Sequence, residues 1–185
     1  VNYFANGTPW AFACWMYFNS SDSQLFVGED GVTKPLLQKS SSGKLRFRED
    51  KSGSLYYPFS DTKIPISTWC RVVVTTNGTT ITAYINGVLL GTINQGDPNE
   101  HASPTATFSN TQMHFTGWGA PYSSDSGVTR NYHLNGMMSD GQVWDATWSA
   151  DDAAYDYANP ESLALNASST SLTEGNLKVW YPMQD

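Results

Sequence analysis

The chain has 185 residues, 39% hydrophobic and 14% aromatic, with a formal net charge of −7. That length suits one β-sandwich domain spanning 1–185 with a core of ordinary size. The acidity excludes nucleic acid and anionic membranes, which need clustered Lys and Arg, and no stretch is long and apolar enough for bilayer insertion.

In chain order, the first expected strand is Ala11 to Phe18 (AFACWMYF), aromatic-rich and buried on at least one side. The loop Asn19 to Ser23 follows. Leu36 to Lys39 and Lys44 to Glu49 form a hairpin over Ser40 to Gly43, and Leu55 to Phe59 is a further strand.

Trp69 to Thr92 is the most informative stretch. It holds three strands joined at Asn77-Gly78 and Asn86-Gly87. Asn-Gly suits the two positive φ angles of a type I′ hairpin turn, so both turns are expected to be of that type. In the middle strand Ile81, Ala83 and Ile85 face one way, and Thr80, Thr82 and Tyr84 the other. That period of two predicts a sheet with one buried face.

Two long polar loops follow, from Asn94 to Pro104 and from Gly119 to Asn131. Between them lies a strand, Gln112 to Trp118. Tyr132 to Trp144 holds one or two strands. Ser149 is an N-cap, and Asp151 and Asp152 favour the positive end of a helix dipole, so a short helix spans about 150–158 and stops before Pro160. A last strand runs from Asn176 to Met183. Many short strands with one helix specify an all-β, two-sheet antiparallel sandwich.

Cys14 and Cys70 sit in strands among large apolar neighbours, where free thiols are the default and a disulfide is the alternative. The sequence begins at Val1 with neither an initiator Met nor a signal peptide, so a processed product or an excised domain is expected. The sequons at Asn6, Asn19, Asn77 and Asn166 carry meaning only in a secreted eukaryotic chain.

Three blocks resemble the laminin-G-like, concanavalin A-like jelly roll. They are Pro9 to Met16, Trp69 through Gly91 (Trp69, Val72, Val74, Thr75, Tyr84, Asn86 and Gly87 meeting W-x-x-V-x-V-T … Y-x-N-G), and Leu134 to Asp145 running into the Ser149 helix. Ser139 and Gly141 depart from the family pattern, which has an acidic and an aliphatic residue there. The family commonly opens with a further strand, F-D-G-x-D-D-Y, which this sequence lacks. The resemblance implies a binding or structural module of extracellular adhesins, phage and other virion surfaces.

Enzymatic readings find little footing. The E-x-D-x-x-E signature of glucanases on this fold is absent. Glu29-Asp30 and Glu49-Asp50 are adjacent pairs whose side chains point to opposite faces of a strand. His101, His114 and His133 accompany no G-x-S-x-G elbow.

Two binding chemistries remain. Calcium takes several loop oxygens, and the candidates are Asp22, Glu29, Asp30, Asp97, Asn99, Glu100, Asp125 and Asp140. Solvated loop acids are the plainer reading. Glycan binding needs aromatic faces beside hydrogen-bonding groups. Trp118 and Tyr122, with Asn99, Arg130, Asn131 and Tyr132, offer that mixture. The plainer reading is that those rings pack a loop. Trp10, Trp15, Trp69, Trp144, Trp148 and Trp180 are assigned to the core or its edges.

The leading expectation is a non-catalytic glycan-binding or host-adhesion module on a virion or cell surface. A purely structural decoration, fibre or spike domain is the alternative, contacting other protein chains and forming a homo-oligomer through a parent protein. A glycoside hydrolase-like enzyme is the remote third.

Overall fold

The computed structural model describes residues 8–22, 24–29, 36–50, 54–94, 113–115, 134–165 and 170–182. Eleven strands are described: β1 Trp10–Phe18, β2 Gln24–Glu29, β3 Leu36–Lys39, β4 Lys44–Asp50, β5 Ser54–Lys63, β6 Trp69–Thr76, β7 Thr80–Ile85, β8 Val88–Asn94, β9 Met113–Phe115, β10 Gly136–Trp144 and β11 Leu177–Tyr181. Helix α1 spans Ala150–Ala158, and a single helical turn, α2, spans Ser162–Leu165. The strands form two antiparallel sheets, in the orders β11-β10-β1-β6-β7-β8 and β5-β4-β3-β2-β9.

The main core lies between the sheets and follows residue parity. In β1 the even positions Phe12, Cys14, Met16 and Phe18 face inward, as do Val72 and Val74 of β6 and Ile81 and Ala83 of β7. They meet Leu37, Leu45, Phe47 and Phe59 of the opposite sheet.

The six-stranded sheet is also buried on its outer face, contrary to the one-faced sheet expected from β7. Ala11, Ala13, Val73, Tyr84 and Trp144 point outward into a second core with Trp148, Ala153, Leu163 and Leu172. Trp144 and Trp148 meet edge-on, 5.6 Å between ring centroids. The chain after β10 therefore folds back as a third layer over part of this sheet.

Helix α1 is capped as its sequence requires. The Ser149 hydroxyl accepts from the Asp152 amide at 3.1 Å, and the Asp152 carboxylate accepts from the Ser149 amide at 2.7 Å. Asp152 also accepts from the Ser171 hydroxyl at 3.0 Å, which ties the returning segment to the helix start.

Of the two Asn-Gly turns, one is type I′. Asn86 and Gly87 both have positive φ, 51° and 75°, and Ile85 pairs directly with Val88. At the other, only Gly78 has positive φ, 94°. There Thr76 pairs with Ile81, leaving four residues in the turn. The Asn77 side-chain oxygen accepts from the Thr79 and Thr80 amides, both at 2.9 Å, so its side chain organises the turn in place of its backbone.

Strand β2 was not foreseen, and β5 extends well beyond Leu55 to Phe59. Pro58 lies in β5, a sheet edge, where strands tolerate a residue without an N–H. Cys14 and Cys70 are free and buried. Burial pushes the Cys70 thiol up to about 12 and Cys14 well above its ordinary value.

Candidate functional site

The outer face of the six-stranded sheet is organised in rows of cross-strand neighbours. In the first row Met137 of β10, Tyr17 of β1 and Trp69 of β6 are Cα partners. In the second they are Ser139, Trp15 and Arg71. In the third, Gln142, Ala13, Val73 and Tyr84 already lie under the third layer.

The first row is uncovered. Trp69 is 40% exposed and Met137 49%. Tyr17 meets Trp69 edge-on at 5.7 Å between centroids. Tyr157, near the C-terminal end of α1 and 41% exposed, stands beside Trp15 at 5.8 Å. Two stiff aromatic pairs thus sit on a rigid floor.

Beneath the second row lies a buried ionic cluster. Arg71 is fully buried. Its guanidinium donates to Asp156 of α1 from Nε at 2.6 Å and from Nη2 at 3.0 Å. Nη1 donates to the Asp140 carbonyl at 2.9 Å and contacts its carboxylate at 2.8 Å. Asp140 sits at an irregularity in the β1–β10 pairing with φ 47°. Its carboxylate also accepts from Trp180 Nε1 at 2.7 Å and Gln142 Nε2 at 2.9 Å.

Burial works to discharge Arg71, but Asp156 and Asp140 overcome it and hold the guanidinium above its ordinary value. Burial pushes the Asp156 carboxyl up against the pull of Arg71. The guanidinium also lies over the Trp15 ring at 5.9 Å. The cluster clamps α1 onto the sheet and orients Trp15 and Tyr157 beside it.

Lys39 is a second buried cation. Lys39 Nζ donates to the Asp22 carbonyl at 3.0 Å and lies 5.5 Å from the Phe18 ring centroid. Burial lowers its pKa, with Asp22 opposing.

The expected site residues distribute unevenly. Trp118, Tyr122, Asn99, Arg130, Asn131 and Tyr132 lie outside the described residues, as do Asp30, Asp97, Glu100 and Asp125. Glu29 ends β2, where its Cα pairs with Met113. The Asp22 carboxylate accepts from the Ser20 hydroxyl at 3.0 Å, beside the Lys39 ammonium. The Asp140 carboxylate is committed to three protein partners. Among the described residues, no three His, Cys, Asp or Glu side chains gather where they could hold a metal ion.

Trp15 and Trp69, assigned from sequence to the core or its edges, are on the outer face, and Trp69 is well exposed. The signal was parity: Trp15, Tyr17 and Trp69 are out of phase with Phe12, Cys14, Met16 and Val72.

Comparison with known proteins gives a family and a fold. The sequence matches the family model described as the Concanavalin A-like lectin/glucanases superfamily over residues 2–154. No curated protein sequence matches the chain. A candidate carbohydrate binding protein from Bacteroides ovatus is similar in structure, with TM-score 0.57 and 14% identity over 95% of this chain and 45% of that one. Domain 4 of AbnA, an extracellular GH43 arabinanase from Geobacillus stearothermophilus, solved with arabinotriose, has TM-score 0.56 and 12% identity over 84% of this chain and 68% of that one. The botulinum neurotoxin serotype C1 binding domain has TM-score 0.55 and 14% identity over 83% of this chain and 37% of that one. The chain therefore spans less than half of the Bacteroides protein and about a third of the toxin domain. At these identities the likeness is one of fold. Among the described residues, no helix is long and apolar enough to cross a membrane.

Proposed function

Because the chain belongs to the Concanavalin A-like lectin/glucanases superfamily, we propose that it is a non-catalytic glycan-binding module displayed on an extracellular or virion surface, where it serves adhesion. The observation that carries this reading is the family match over residues 2–154 on a two-sheet sandwich. The carbohydrate-related neighbours, one solved with arabinotriose, support it. The proposed site is the loop set Trp118, Tyr122, Asn99, Arg130, Asn131 and Tyr132, with rings stacking on sugar faces and amides reading hydroxyls. Such shallow sites bind weakly and gain strength from many copies. Calcium held by Glu29, Asp30, Asp97 and Asp125 is a proposed auxiliary to that site.

Isothermal titration of the chain and of Trp118→Ala/Tyr122→Ala with a glycan that binds tests the proposal. Loss of binding with an unchanged melting temperature supports the loop site. Binding equal to the parent chain removes it. Repeating the titration with chelator separates the calcium proposal from the aromatic one.

One observation favours assembly as a second reading. Among the described strands, β11 and β8 are the edges of the six-stranded sheet, and β8 exposes Val88 and Leu89 at 69% and 57%. Concentration-dependent sedimentation without sugar binding would establish it as the primary role.

A further inference from the structure

In the row Met137, Tyr17 and Trp69, Met137 and Trp69 are exposed and Tyr17 is half-buried. Trp10, Trp144 and Trp148 are buried, whereas Trp69 keeps 40% of its surface in solvent on a sheet face. The third layer covers the row of Ala13 and Val73 and holds Arg71 through Asp156, and Tyr157 stands beside Trp15. An exposed aromatic patch held on rigid strands is the kind of surface that marks a binding site.

We propose that this row is a stacking platform for a neutral oligosaccharide, with pyranose rings lying across Tyr17 and Trp69, Met137 at one flank and Trp15 with Tyr157 at the other. The inference rests on the glycan-binding reading above and names residues other than those of the Trp118 loop.

Three observations select this occupant. An aromatic face carries negative quadrupole charge, which attracts the weakly positive C–H groups on one face of a sugar ring. Among the described residues, the cation in contact with this surface, Arg71, is fully buried and paired with two carboxylates. It offers nothing to an acidic sugar or a phospholipid headgroup, and the chain's net charge of −7 repels both. The platform is also small. Five side chains fall far short of the roughly 20–30 residues per side that a stable protein interface uses.

The platform is preorganised. Tyr17 and Trp69 are cross-strand partners in edge contact, and Trp15 is held from one side by the Arg71 guanidinium. Little side-chain order remains to be lost on binding.

The test is a titration of the 15N-labelled chain with cellohexaose, mannohexaose and arabinohexaose, following the indole N–H signals of its seven tryptophans. Trp69→Phe and Trp15→Phe assign the two platform signals. The expected result is that a binding sugar shifts the Trp69 and Trp15 signals. Trp69→Ala then weakens binding about tenfold, as loss of one strong aromatic contact does, while Trp69→Phe weakens it less. If Trp69→Ala fails to fold, the exposed Met137→Ala and Tyr157→Ala variants replace it, each expected to weaken binding measurably. Shifts confined to Trp118 would overturn the platform and leave the glycan reading standing. No shift at any indole with any of the three sugars would overturn both. A Trp69 shift that depends on protein concentration alone would assign the row to self-association and overturn it.

Discussion

At the scale of single residues, the most consequential group is Arg71. It is fully buried, and what keeps it there is a bidentate bond to Asp156 and a second carboxylate on Asp140. Such a cluster adds little over a well-packed apolar replacement, but removing one partner strands the rest. Asp156→Ala should therefore cost about 3–5 kcal/mol in urea unfolding, with Asp156→Asn costing less because it keeps an acceptor. A loss under about 1 kcal/mol would mean that water or movement of α1 relieves the charge. The thiols give a second residue-scale test. With Cys70 pushed up to about 12 and both sulfurs buried, neither should react with a thiol reagent at pH 8 until the chain unfolds. Fast reaction in the native state would contradict the packing of β1 on β6. Free thiols were the expectation from the apolar neighbours of Cys14 and Cys70. The Arg71 cluster was not readable, because its members are separated by up to 85 positions and meet only once α1 docks.

Among the elements, the strand signals in the Trp69 to Thr92 run were clear because period two and turn chemistry agreed there. The Asn77-Gly78 turn differs because the Asn77 side chain bonds the backbone more favourably than a two-residue turn would. β2 was missed: its short run, Gln24 to Glu29, draws its strand character from pairing with β3 and β9 rather than from a pattern of its own. β1 was expected to be buried on at least one side and is, but apolar residues at both parities left its outer-facing set unspecified. Two glycines mark places where elements touch. A Cβ at Gly91 would lie 1.9 Å from the Phe59 carbonyl oxygen, so edge β8 meets edge β5 there through backbone. A Cβ at Gly87 would meet the Ala154 Cα at 3.0 Å, in a turn that also needs positive φ. Gly91→Ala should lower the melting temperature more than Ser149→Ala. The latter loses one cap, worth about 1 kcal/mol, and should raise hydrogen exchange in α1 ahead of the sheets. The reverse order would contradict the closure of the sandwich at β5 and β8.

For the whole molecule, acid response and ligand binding are the readable properties. The Asp145 carboxyl is held below its ordinary 3.8 although burial pushes it up, because Lys178 and Asn176 donate to it. Exposed Asp61 is lowered by its hydrogen bond to Lys44. Depressed carboxylates stabilise the fold above their unfolded value, and that contribution is lost as pH falls from about 3.8 through the folded value. Asp156, held above 3.8, acts in the opposite sense and favours the folded state as pH falls through its folded value. Asp145→Asn should therefore lower the melting temperature slightly at pH 7, where that contribution is fully present, and flatten the acid limb below pH 3.8. A steeper acid limb in that variant would contradict the assignment.

Glycan recognition is the central claim, and a glycan-array screen of the folded chain, run with calcium and again with chelator, tests it most directly. The account predicts a specific hit for neutral glycans. A hit that survives chelator places recognition on aromatic rings, and one that chelator abolishes places it on the acidic loops. A blank array under both conditions, with native folding shown by circular dichroism, would contradict the account and leave assembly as the function of this sandwich.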